Sequence, residues 1–175
     1  MINNAARSGV LVGVISIVVA LLIYIIDATL FIKWWLGLSL LVINLGLISY
    51  FGIQYRKEIG GFMSFGEAFK YSILVFIVAG FLGTFFNVIL FNVIDPELPE
   101  LLTDASVEQT EKMLNSFGTP DDAKDEALQK VKEDTPASFT PLGQLKNFGI
   151  AIILYAIFSL ITAAIIKRKE PELEL

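Results

Sequence analysis

Four stretches of the chain carry no charged residue and are long enough to cross a bilayer. They run from about Gly9 to Ile26, from Trp34 to about Ile53, from Tyr71 to Ile94 and from Phe148 to Ile166. A membrane span needs about 20 apolar residues at a rise of about 1.5 Å each. In lipid the backbone must satisfy its own hydrogen bonds, so each stretch reads as a helix. With their polar approaches included, the membrane helices are expected over about 9–26, 34–53, 65–94 and 143–166. The first follows Arg7 in the manner of a secretory signal. It is longer than a signal core and no small-residue cleavage site follows, so it reads as a retained helix.

Between the third and fourth spans lies a polar interval, 95–140, with its own punctuation. Asp95-Pro96 closes the third span, because a proline drives the residue before it out of the helical region. Ser106-Val107-Glu108-Gln109 opens a helix from about Val107 to Phe117, with Val107, Met113, Leu114 and Phe117 toward one side and Gly118 as its stop. Thr119-Pro120-Asp121-Asp122 starts a second, to about Glu133, with Ala123, Ala127, Leu128 and Val131 as its stripe. Thr135-Pro136 ends it and Thr140-Pro141 starts the fourth membrane helix. Two short amphipathic helices bury too little alone, so they are expected to pack on each other and on the bundle, with a docking face for a partner as the alternative reading of the stripe.

The expected fold class is therefore all-α. It is an integral membrane four-helix bundle with a small extracytoplasmic helical hairpin between the third and fourth spans. Residues 1–94 hold three spans, 95–140 the acidic hairpin, and 141–175 the fourth span with a basic-acidic cytoplasmic tail.

Charge fixes the expected orientation. Arg7, Arg56, Lys57, Lys70, Lys167, Arg168 and Lys169 flank the spans on one side, and only Lys33 and Lys146 on the other. The positive-inside rule then puts both termini in the cytoplasm of a bacterial inner membrane. The net charge of −5 conceals an asymmetry. Segment 95–140 has twelve Asp and Glu against four Lys, a balance of −8, so the rest of the chain carries +3. Tyr24, Trp34 and Trp35 fall near the outer boundary, where amphipathic rings are favoured.

Three groups of residues stand out. Ser64-Phe65-Gly66-Glu67 has the form of a capping box, with Lys70 a turn further on as an interface anchor able to pair with Glu67. Asn44 and Asn87 place amides inside lipid, where they seek contacts on other helices. Gly9-x-x-x-Gly13 and Ala79-x-x-x-Gly83 have the small-residue spacing of close helix packing, and Gly46, Ser49 and Gly52 recur in the second span.

Much chemistry is argued against. There is no Cys and no His, and no charged residue lies at depth, which disfavours ion pumps and proton-coupled carriers. No basic face for nucleic acid exists. Asp121, Asp122, Asp125 and Glu126 lack the spacing of a calcium loop. No metal or cofactor site and no catalytic residue is expected.

The order SFGEAFKYS at the third span, Ile94-Asp95-Pro96-Glu97 at its end, the Gly60-Gly61 pair, an acidic helical loop and a last span closing on Lys167-Arg168-Lys169 resembles a bacterial family of four-span proteins, domain of unknown function 4199. The resemblance implies an inner-membrane protein and brings no assigned activity. Three functions are weighed. The first is a non-enzymatic accessory or scaffold module that touches the lipid bilayer and itself or another membrane protein. The second is an oligomeric channel or carrier lined by Asn44 and Asn87. The third is surface chemistry at Asp95 and Glu97, which also read as a helix stop and turn.

Overall fold

A computed structural model describes residues 1–169. The acidic end of the expected tail, 170–175, lies outside the described residues. Helix α1 (Ile2–Asp27) runs into a 3-10 turn at Ala28–Ile32 and is followed by α2 (Trp34–Glu58). Helix α3 (Phe65–Ile89) continues through a π-helical turn, Leu90–Ile94. Then come α4 (Leu98–Ser116), α5 (Asp121–Phe139) and α6 (Pro141–Ile166). Among the described residues no strand forms, only one antiparallel bridge between Met63 and Arg168.

Helices α1, α2, α3 and α6 are long and apolar enough to cross a membrane. They outrun the apolar stretches because helix propensity does not stop where lipid does. Helix α2 reaches Glu58 with Arg56 and Lys57 in its last turn, where cations suit the negative end of the helix dipole. Arg56 Nη1 donates to the Ile166 carbonyl at 2.5 Å, tying α2 to the end of α6. Alternation brings the start of α1, the end of α2, the start of α3 and the end of α6 together, so the bundle has a termini end and a hairpin end.

Helix α3 is the axis of the bundle, with its most extensive contacts to α1 and α6. At the termini end, Ala5, Val12, Ile48, Tyr55, Tyr71, Val75 and Ile166 form one buried core. The Tyr55 and Tyr71 rings stack at 5.1 Å, and the Tyr71 hydroxyl donates to Ser8 Oγ at 2.7 Å. A second, smaller core of Ala28, Leu90, Phe91, Leu98 and Leu102 closes the hairpin end.

The hairpin differs from its sequence expectation at both joints. Helix α4 begins at Leu98, not Val107, and Ser106 sits inside it, its hydroxyl donating to the Leu102 carbonyl at 2.6 Å. Leu98 and Leu102 are one turn apart and both buried, so docking their shared face outweighs a local capping signal. Helix α5 continues past Pro136 to Phe139, whose ring meets Phe91 edge to face at 4.9 Å. That contact holds the last turn in place despite the proline. Pro120, not Thr119, is the N-cap of α5, and Gly118 makes the turn with φ +67°. The expected stripes are only half covered. Val107, Leu128 and Val131 are partly buried, whereas Met113 and Phe117 are 50% and 78% exposed at the far tip.

Candidate functional site

The small residues do two different jobs. A β-carbon at Gly9 would lie 2.7 Å from Val78 Cβ, and one at Gly13 would lie 3.2 Å from Ala79 Cα. Gly9, Gly13 and Ala79 thus make the close α1–α3 seam. Gly83 departs from the packing expectation, since among the described residues nothing lies within 4 Å of where its β-carbon would stand. It faces a cavity instead. No residue is buried over 14–22 of α1, 34–47 of α2, 77–89 of α3 or 145–158 of α6.

The space left takes the form of two cavities that share Ser16, Gly83 and Asn87. One, of about 450 Å³, lies beneath the base of the hairpin among Phe31, Phe86, Leu102, Phe139, Gln144 and Asn147. The other, of about 370 Å³, lies among α2, α3 and α6 and is lined by Leu40, Asn44, Thr84, Asn87 and Tyr155. It reaches toward the termini as far as Ile48 and Phe76, where the main core begins. Among the described residues, no Asp, Glu, Lys or Arg lines either cavity.

The structure brings Asn44 and Asn87 to the same cavity, in different states. Asn44 is occupied: its Oδ1 accepts from Ser16 Oγ at 3.1 Å and its Nδ2 donates to the Leu40 carbonyl at 2.9 Å. The side chains of Thr84, Asn87 and Asn147 have no hydrogen-bond partner among the described residues. Gln144 is buried, donating to the Ser138 carbonyl at 2.9 Å. Sequence reasoning missed Gln144 and Asn147, since they precede the uncharged stretch that marked the fourth span. Their spacing of three residues, which puts both amides on one helical face, was the available signal.

Polar side chains fasten the roof of the crevice. Asp95 Oδ2 accepts from the Tyr24 hydroxyl at 2.9 Å, and its Oδ1 accepts from the Leu98 amide at 3.1 Å. Gln109 donates to the Ile32 carbonyl at 3.0 Å, and Asn92 to the Phe139 carbonyl at 3.3 Å. Both Asp95 oxygens are thus engaged in holding the hinge, while Glu97 is exposed and makes no side-chain cap. Farther out, the Lys112 ammonium beside Glu108 and the Lys124 ammonium beside Asp121 hold those carboxyls below their usual range.

Ser64, Glu67 and Lys70 lie at the opposite end, away from the crevice. Ser64 Oγ accepts from the Glu67 amide at 3.3 Å, and Glu67 Oε2 accepts from the Ser64 amide at 2.9 Å, a reciprocal cap on α3. Lys70 is exposed and, among the described residues, makes no ion pair with Glu67. Beside them, Lys167 lies over the Phe65 ring and Arg168 over the Phe62 ring, at 5.7 and 5.8 Å from the centroids.

Comparison with known proteins gives one likeness. Residues 7–168 match the family described as a protein of unknown function, DUF4199. No curated protein and no solved structure matches the chain.

Proposed function

The chain belongs to the DUF4199 family, and from that premise we propose that it is a non-enzymatic module of the bacterial inner membrane. In this reading the bundle holds an acidic hairpin on the extracytoplasmic side for another membrane protein. Both termini lie in the cytoplasm, in keeping with the basic residues Arg7, Arg56, Lys57, Lys70, Lys167 and Arg168 gathered at the termini end.

The observation that carries the reading is the contrast within the hairpin. Its base is locked by Leu98, Leu102, Asp95 and Gln109, yet its far end presents Phe117 and Met113 to solvent. A buried base with an apolar, exposed tip suits contact with a protein more than self-packing. Twelve carboxylates against four lysines over 95–140 select a partner with a basic extracytoplasmic face and an apolar recess for Phe117. The engagement of both Asp95 oxygens in hydrogen bonds supports a positioning role over surface catalysis. A channel through a single bundle has less support, because the crevice lined by Asn44 and Asn87 meets the buried core at Ile48 and Phe76.

A photoreactive phenylalanine at Phe117, irradiated in intact cells, tests this. The expected result is one discrete crosslinked protein that is not crosslinked from exposed Gln129 on the other helix. Equal crosslinking from both positions, or adducts with lipid alone, would overturn it.

A further inference from the structure

The amide-lined crevice has no part in the hairpin's contact with a partner, and its chemistry is specific. Its lining holds no formal charge, its walls are largely aromatic and aliphatic, and its free polar groups are amides and a hydroxyl. We propose that it binds an uncharged amphiphile drawn from the bilayer, a lipid whose head carries hydroxyl or carbonyl groups and whose tail is hydrocarbon.

Three observations converge on that class. First, the free carboxamide of Asn87 and the free hydroxyl of Thr84 sit within stretches that cross lipid, where an unmet donor or acceptor is costly. A head with hydroxyl or carbonyl groups satisfies both donors and acceptors of an amide. Second, the remaining wall, from Leu40 and Tyr155 to Phe86 and Phe139, gives a tail apolar surface that a column of water would leave wetted. The two volumes, about 450 and 370 Å³, fall within the usual size of ligand sites. Third, charged lipids are selected against. A phosphate head would find no cation in the lining, and it would lie beneath a hairpin of net charge −8. The site is reached from the side, since the cavity lies between the parts of α2 and α6 that hold no buried residue.

Gly83 provides the test, because it belongs to both cavities and a side chain there meets open space. The full-length protein, purified and delipidated in mild detergent, is irradiated with a diacylglycerol carrying a diazirine on one acyl chain. Adducts are mapped by mass spectrometry. Labelling is expected on the peptides that carry Ser16, Asn44 and Thr84 to Asn87. Unlabelled diacylglycerol should compete with it, and phosphatidylglycerol of the same chains should not.

Gly83→Leu, which fills the shared wall, should lower that labelling by about tenfold or more. Asn87→Leu should lower it by about three- to tenfold through loss of the head contact. If Gly83→Leu fails to fold, Asn87→Leu and the competition still decide. Adducts spread evenly over the lipid-facing sides of α2 and α6 would overturn the proposal. So would equal competition by phosphatidylglycerol, or labelling indifferent to the Asn87 change.

Discussion

Where α1 passes α3 near the termini, Gly9 and Gly13 let two backbones touch; one turn beyond Ala79 on the same helix, Gly83 touches nothing. The same four helices share a buried core toward the termini and bury no residue over 14–22, 34–47, 77–89 and 145–158, nearer the hairpin. The difference lies in what they carry inward. Toward the termini, Tyr55, Tyr71, Ile48 and Ile166 fill the space that the glycine seam leaves. Toward the hairpin, Gly83, Thr84 and Asn87 offer little volume, and the aromatic and aliphatic side chains of α2 and α6 line the space without reaching Gly83; Gly80, just before it, is covered by Tyr155. Small residues therefore make a seam where a facing side chain or backbone reaches them, as Val78 and Leu82 reach Gly9 and Gly13, and a hollow where none does, as at Gly83.

Paired substitutions can break that comparison. Gly13→Leu should be the most damaging, since even a β-carbon there crowds Ala79 and Leu82; overpacking of this kind costs about 1–3 kcal/mol. Gly83→Leu, one turn past Ala79, should stay within about 0.5 kcal/mol of the parent. Thermal unfolding in one detergent measures both, and equal losses would erase the distinction between seam and hollow.

Next in size is the hinge. Asp95→Ala removes the Tyr24 bond and the cap on the Leu98 amide, a loss of about 0.5–2 kcal/mol felt at the roof. Hydrogen exchange should quicken over Leu98 to Leu102 and stay unchanged over Tyr71 to Val75. Tyr71→Phe reverses the pattern, removing the donor to Ser8 for about 0.5–1.5 kcal/mol at the termini core alone. Asn44→Leu should cost only about 0.6 kcal/mol, as a bond between membrane helices usually does.

Acid should do least. The lowered carboxyls of Glu108 and Asp121 contribute stability that is present above their ordinary pKa and lost as the pH falls through the lowered one. Both pairs face water, so the far-ultraviolet signal of the hairpin should barely move near about pH 4.

Most of the bundle was legible because lipid enforces helices wherever charge is missing, and because Ser64 and Glu67 make a local cap readable from four letters. The hairpin was legible in kind and wrong in extent. Capping signals at Ser106 and a break at Pro136 are local, whereas Leu98, Leu102 and Phe139 answer to a core assembled from distant segments. The crevice was half legible. Asn44 and Asn87 could be singled out by their setting, but no single helix says whether the one opposite it is bulky. The Gly83 surroundings depend on α2 and α6 at once, so the spacing from Ala79 could suggest packing and not reveal a hollow.

The chain has no cysteine, so single thiols can report directly on the two halves. The deciding measurement is the rate of N-ethylmaleimide reaction in delipidated protein at Ser16→Cys and Thr84→Cys, set against Ser72→Cys and Ser159→Cys. The first pair lines the crevice and the second is fully buried at the termini end. The account predicts that Ser16→Cys and Thr84→Cys react at least about tenfold faster, the others waiting on local unfolding. Indistinguishable rates in the folded protein would contradict it.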